Sequence, residues 1–260
     1  MTTSPIKKLD SIHSDLKNQS KIDTIILDIE GTICPITFVK DKLFPYFINK
    51  LPTILEKYNY PLNSISDKDP IINVLENLPS NITISETTIY NYLKNLVDND
   101  IKDPVLKSLQ GLIWDQGYKS GELKSPIYKD SIEFIEKFPS TTKKIYLYSS
   151  GSINAQKLLF GHVDVNGKST NLNKYLSGYF DITTAGYKNE YTSYTKILRE
   201  INKLDQSQSV LFLSDNINEV KAAIKAGMQS YIVIRPGNAP IPIEEKNGYR
   251  TITSLYEVDI

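Results

Sequence analysis

Five short apolar runs, spaced by stretches of helical pattern, constrain this chain of 260 residues more than any other feature. They cover residues 24–28, 144–149, 180–185, 210–214 and 230–234. Each is rich in Ile, Val, Leu, Tyr or Phe and bounded by polar or turn residues, the pattern of a β-strand. Most are nearly continuous rather than alternating, as in "TIILD" and "VLFLS". A strand that is apolar on both sides is covered on both sides, so these runs suit a parallel sheet between two helical layers. Helical patterns over 131–138, 153–160, 191–202 and 218–226 supply the layers. Strands alternating with helices predict βαβ units and an α/β fold: a Rossmann-like parallel sheet with helices on both faces.

Residues 41–124 break that rhythm. Helix-like segments such as "FPYFINKLPTILEKY" and "ETTIYNYLKNLVDNDI" dominate, joined by the polar stretch "NYPLNSISDKDP". The expected organisation is an N-terminal extension over 1–20, an α/β core formed by 21–40 and 125–260, and a helical insert over 41–124, placed straight after the first strand. Apolar residues make up 40% of the chain, enough for a real core.

Several function classes lose support at once. Lysine plus arginine equals aspartate plus glutamate, 30 each, so nothing favours a nucleic-acid partner. Residues 1–23 lack the apolar stretch of a signal peptide, and no run of about 18 apolar residues exists to span a membrane. The single cysteine, Cys34, cannot form an intramolecular disulfide and fits a reducing compartment. A cytoplasmic chain is expected, small enough to enter a nucleus as well, and its sequons at Asn18 and Asn81 then carry no weight. The two histidines, His13 and His162, exclude a multi-histidine zinc site and disfavour a Ser-His-Asp triad. His162 reads as a surface or capping residue.

In open parallel sheets, ligands bind beyond the carboxyl ends of the strands. The first run ends in Asp28-Ile29-Glu30, the second in Ser149-Ser150-Gly151, and the fourth in Asp215-Asn216. The third leads to Gly186-Tyr187-Lys188. Taken singly, Asp28 and Asp215 could be helix caps, the serines turn residues and Lys188 a solvated lysine. Taken together they suit phosphoryl transfer. Asp28 is a nucleophile that can form an aspartyl-phosphate. Mg²⁺ held by Asp28 and Asp215 would offset the repulsion between carboxylate and phosphate. Ser149 can bind phosphate oxygens, Ser150 and Ser152 precede a helix whose positive end favours an anion, and Lys188 adds positive charge. Glu30 can protonate the leaving oxygen and then activate water.

The segments "DIEGT", "YSSGS", "GYKNEYTSY" and "FLSDN" resemble, in order, the four motifs of the haloacid dehalogenase superfamily. Glu30 stands where the general first motif has aspartate. That departure, with "YSSGSINAQKLLFGH", "VIRPGNAP" and "LQGLIWDQGYKSGELK", is similar to the enolase-phosphatases of methionine salvage. The resemblance runs from about Lys21 to Ser254. It implies a Mg²⁺-dependent enzyme acting on a small phosphate, 2,3-diketo-5-methylthiopentyl-1-phosphate, which it enolises and then dephosphorylates; a monomer is expected. It implies Asp28, Glu30 and Lys188 as catalytic residues, and Ser149, Ser150 and Lys188 as substrate-binding residues. One Mg²⁺ per chain would be held by Asp28, Glu30 through its carbonyl, and Asp215. The insert would be a cap over the crevice. Trp114 and Tyr118, four apart on a helix, would either touch the methylthio tail or pack the cap core. Asn216 departs from the usual paired acids of the fourth motif, leaving Glu219 as an outer-shell carboxylate or a plain helix residue. The alternatives are a sugar phosphatase of the same superfamily, a dehalogenase, and a binding module without catalysis. The dehalogenase needs neither Glu30 nor a metal, and the binding module is disfavoured by the intact acids and lysine.

Overall fold

The computed structural model describes residues 21–62 and 69–259. The N-terminal extension, His13 and Asn18 lie outside the described residues, as does part of the polar stretch before Pro70. Within them the strands are β1 (Thr24–Leu27), β2 (Lys144–Tyr148), β3 (Val163–Val165), β4 (Lys168–Thr170), β5 (Gly178–Phe180), β6 (Val210–Ser214), β7 (Gln229–Val233) and β8 (Thr251–Ile252). The α-helices are α1 (Phe44–Leu55), α2 (Pro70–Leu75), α3 (Glu86–Asp98), α4 (Pro104–Ser120), α5 (Lys129–Lys137), α6 (Ile153–Gly161), α7 (Tyr191–Glu200), α8 (Ile217–Lys225) and α9 (Ile243–Lys246). No described helix is long and apolar enough to cross a membrane.

The chain divides into two compact units. Among the described residues, the first takes in 21–32, Asp130–Ser150 and 175–259. It holds a six-stranded sheet in the order β5-β2-β1-β6-β7-β8, with every neighbouring pair parallel. All four residues of β1 and all five of β6 are buried, the consequence of apolar runs covered on both sides. Ile26 and Phe212 stand opposite each other in register and share a core with Tyr194, Ile197 and Leu198 of α7 and Ala222 and Ala223 of α8. From β1 the chain builds outward through β2 and β5, then returns to build the other side from β6. The order therefore reverses at β1 and β6, where open α/β sheets form their binding crevice.

The third strand corrects the sequence expectation. A run over 180–185 was expected, but the strand is Gly178–Phe180 and 182–185 form a turn. Asp181 is the cause. Its Oδ1 accepts from the amides of Thr183 (3.0 Å) and Thr184 (2.8 Å) and from Thr184 Oγ1 (2.9 Å). An Asx-type turn offers the backbone these bonds in place of a ladder.

The second unit takes in Ile33–Lys129 and Gly151–Lys174. Its helices bury Phe47, Leu51 and Leu55 of α1, Leu75 of α2, Ile89 and Leu93 of α3, and Leu109 and Ile113 of α4 in one apolar cluster. The helix starts are set chemically. Asp69, Ser85 and Asp103 each accept a hydrogen bond from a first-turn amide of α2, α3 and α4, and Pro70 and Pro104 occupy first helical positions. Helix α6 and the antiparallel β3–β4 hairpin belong to this unit.

Candidate active site

Strand β1 ends at Leu27, and the chain passes into a tight turn. Gly31 takes a φ of +74°, a left-handed conformation that glycine adopts without a Cβ clash. Asp28 is 6% exposed, and its amide still donates to Leu213 O at 3.0 Å, continuing the ladder to β6. Its carboxylate is paired rather than orphaned. Oδ1 meets Lys188 Nζ in an ion pair, and Oδ2 accepts from Thr32 Oγ1 at 3.3 Å. Thr32 Oγ1 also accepts from the Asp215 amide at 3.0 Å. One hydroxyl thus ties the end of β1 to the end of β6.

Lys188 reaches a second carboxylate, Glu219 Oε2, at 2.8 Å. That oxygen also accepts from Ser214 Oγ at 2.7 Å. The Lys188 side chain is 10% exposed. Burial works against its ammonium, but the Asp28 and Glu219 carboxylates outweigh burial and hold its pKa above the ordinary lysine value. At Asp215 the balance goes the other way, because the Lys188 charge lowers its pKa by less than burial and the carboxylates raise it. Burial, then the charges of Asp28 and Glu219, push its carboxyl up to about 7. Burial and Asp28 likewise raise Glu219. Three carboxylates against one ammonium leave an excess of negative charge that a hard divalent cation would neutralise. Among the described residues no group of three or more His, Cys, Asp or Glu side chains forms a metal cage. The donors that fit such a cation are the carboxylate oxygens of Asp28 and Asp215, hard ligands that suit a hard ion.

The structure brings Asp28, Lys188 and Asp215 together, with Glu219 as the further acid. Glu219 is no plain helix residue, since it pairs with Lys188. Glu30 lies half-buried on the turn that leaves Asp28. Ser149 is buried at the end of β2, next to β1, and its amide donates to Phe180 O at 3.1 Å. Ser150 beside it is exposed. Ser152 Oγ accepts from the Ala155 amide at 3.2 Å as the cap of α6.

The aromatic pair of α4 serves packing. Trp114 is buried, donates its indole N–H to Leu43 O at 2.9 Å and stacks on Phe44 at 6.4 Å. Tyr118 accepts from Ser125 Oγ at 3.1 Å and stacks on His162 at 5.2 Å. His162 follows the last residue of α6 as its cap, and Cys34 is a buried filler.

Sequence reasoning missed Thr32, Arg235 and Asn238. Asn238 Nδ2 donates to Gly31 O at 2.9 Å and Arg235 Nε to Thr32 O at 2.8 Å, so both hold carbonyls of the turn after Asp28. Their segment, "VIRPGNAP", carries the resemblance but no pattern that announces this role.

Residues 22–227 match the family model described as haloacid dehalogenase-like hydrolase. The chain is 64% identical to the enolase-phosphatase E1 of Candida tropicalis, over 92% of this chain and 99% of that one. It is 63% identical to the enolase-phosphatase E1 of a Candida albicans strain, over 92% and 96%. Among solved structures, the UTR4 protein of Saccharomyces cerevisiae is similar with a TM-score of 0.79 and 42% identity, covering 92% of this chain and all of that one. The chain belongs to the haloacid dehalogenase-like hydrolases and, within them, to the enolase-phosphatase E1 family.

Proposed function

We propose that the chain enolises 2,3-diketo-5-methylthiopentyl-1-phosphate and then removes the phosphate, giving 1,2-dihydroxy-3-keto-5-methylthiopentene, the acireductone of methionine salvage. The observation that carries this reading is the buried Lys188 ammonium, held between Asp28 and Glu219 at the β1/β6 reversal. A carboxylate attacking a phosphate dianion meets repulsion, and Lys188 supplies the opposing charge at the attacking oxygen. An oxygen of Asp28 attacks phosphorus, and the bond from phosphorus to the substrate oxygen breaks. Glu30 gives its proton to that leaving oxygen. The Glu30 carboxylate then takes a proton from water, whose oxygen attacks the aspartyl-phosphate at phosphorus. Inorganic phosphate leaves and Asp28 is restored. During enolisation, Lys188 holds the phosphate that anchors the substrate, and Ser149 and Ser150 bind it as well. Asp28, Asp215 and the Glu30 carbonyl would hold one Mg²⁺, which when bound supplies positive charge against the phosphate and the developing enediolate. The enzyme works as a monomer in the cytoplasm, with access to the nucleus; light scattering of the purified chain and imaging of a tagged chain test these two points.

Asp28→Asn is the deciding experiment. The amide is nearly isosteric but cannot attack phosphorus. Phosphate release from the diketone phosphate should fall below about one per cent, a barrier rise of about 2.7 kcal/mol. An ultraviolet-absorbing enol phosphate should accumulate, because Lys188 and Asp215 remain. Retained phosphate release would overturn the nucleophile. Substrate binding with neither enol nor phosphate would overturn the separation of the two steps.

A further inference from the structure

Residues 186 and 187 lie between a turn and α7 and belong to no helix or strand. Backbone carbonyls in such a segment need donors, and the local chain supplies one, the Glu190 amide to Tyr187 O at 3.1 Å. Three consecutive ones receive a hydroxyl each. Tyr148 Oη donates to Gly186 O, Ser193 Oγ to Tyr187 O and Tyr194 Oη to Lys188 O, all at 2.7 Å. The hydroxyls come from two elements, β2 and α7.

The two phenols are rigid posts. Tyr148 and Tyr194 are fully buried, meet edge to face at 5.5 Å, and belong to the apolar core under the sheet. Tyr194 meets Phe212 of β6 in the same way at 5.1 Å. A tyrosine has two side-chain torsions, so a ring locked in a core fixes its hydroxyl tip. Ser193 adds close approach. A Cβ on Gly186, whose φ is +115°, would stand 2.5 Å from Ser193 Oγ. The Lys188 ammonium lies 5.8 Å from the centre of the Tyr148 ring, so the post that holds Gly186 O also flanks the charged end of the lysine. A lysine stem is flexible and does not place its own charge. Here the backbone is gripped at one end, and Asp28 and Glu219 hold the ammonium at the other.

We propose that Tyr148, Ser193 and Tyr194 are positioning residues, which set Lys188 against Asp28 by gripping the carbonyls of the loop that carries it. The proposal rests on the reading of Lys188 given under Proposed function. A displacement of about 1 Å in a reacting site can cost on the order of 100-fold in rate.

The test is a mutant cycle with steady-state phosphate release as the readout. Tyr148→Phe/Tyr194→Phe keeps both rings and removes both hydroxyls. It should lower kcat by about 10- to 100-fold, while the thermal melt stays cooperative. Lys188→Ala should also lower kcat. The two tyrosine changes made on the Lys188→Ala background should then cost less than about twofold more, because the posts act through the lysine. Loss that multiplies on that background would mark a general structural role and overturn the proposal. So would full activity of the tyrosine double variant beside an impaired Lys188→Ala. Unimpaired Lys188→Ala would overturn the reading of Lys188 and the proposal with it. Ser193→Ala and each single tyrosine change carry the same cycle in smaller steps, should the double variant fail to fold.

Discussion

A Cβ on Gly31 would stand 2.4 Å from Asp215 Oδ2 and 2.7 Å from its Cγ, at a φ of +74°. Both facts act on one residue. The left-handed conformation costs a non-glycine residue roughly 1–2 kcal/mol, and the methyl group displaces the Asp215 carboxylate. Gly31→Ala should therefore fold, but should raise the Mg²⁺ concentration for half-maximal activity at least about tenfold, equivalent to about 1.4 kcal/mol. A Mg²⁺ titration of phosphate release checks this, and an unchanged requirement would contradict the close packing as the reason for glycine. The acids were legible at this scale because an apolar run that stops at a carboxylate is conspicuous. Their supports were not. Thr32 meets the Asp215 amide across 183 residues, and Asn238 meets Gly31 O across 207. A hydroxyl or an amide has no periodicity, so such pairings exist only once the sheet has formed. Glu219 shows the boundary: its place one helical turn after Asp215 was visible, but its pairing with Lys188 was not.

At the scale of elements, long apolar runs announced themselves and short strands did not. The two-residue β8 offers too little pattern to recognise. The β3–β4 hairpin did carry a signal: Asn166 and Gly167, with φ of +53° and +82°, form the Asn-Gly turn that joins antiparallel strands. Its strands, three residues each, are too short to show a period. Arg235 ties several elements with one guanidinium. Besides Thr32 O, it donates to Thr253 O at 3.0 Å and Ser131 Oγ at 3.1 Å, and it pairs with Asp130 of α5 at 2.9 Å. Asp130 in turn accepts from Ser254 Oγ and the Leu255 amide, each at 2.7 Å. Removing one partner of a buried ion pair strands the other charge, at a cost of about 3–5 kcal/mol. Arg235→Ala should lose about that much in urea unfolding, and Asp130→Ala/Arg235→Ala should lose less than the sum of the two single changes. Additive losses would show that the two side chains stabilise independently.

The whole molecule balances 30 basic against 30 acidic side chains, yet its site does not balance, and that imbalance should be visible in global stability. Burial and neighbouring carboxylates push Asp215 up to about 7 and raise Glu219. In the unfolded chain both acids titrate near pH 4 (roughly 3.9 for Asp and 4.3 for Glu). Between about pH 4 and 7 the folded protein thus holds more protons than the unfolded one, so without metal its stability falls as pH rises through that window. Other shifted groups leave the window clear. Asp130 and Asp23 are held below the ordinary carboxylate value despite burial, so their stabilisation is present above the unfolded pKa and is lost only in stronger acid. Lys188, raised, contributes fully below the unfolded lysine value of about 10.4 and loses that contribution only as pH rises through its folded pKa. In chelator, then, the urea midpoint should fall as pH rises from about 4 to about 7. Saturating Mg²⁺ should flatten or reverse that slope, because a cation binds the deprotonated carboxylates of the folded state and stabilises it by mass action. Asp215→Asn should remove most of the slope in chelator and most of the response to Mg²⁺ together. A slope that persists unchanged through both treatments would mean that the excess charge at the β1/β6 reversal is compensated by something other than a cation.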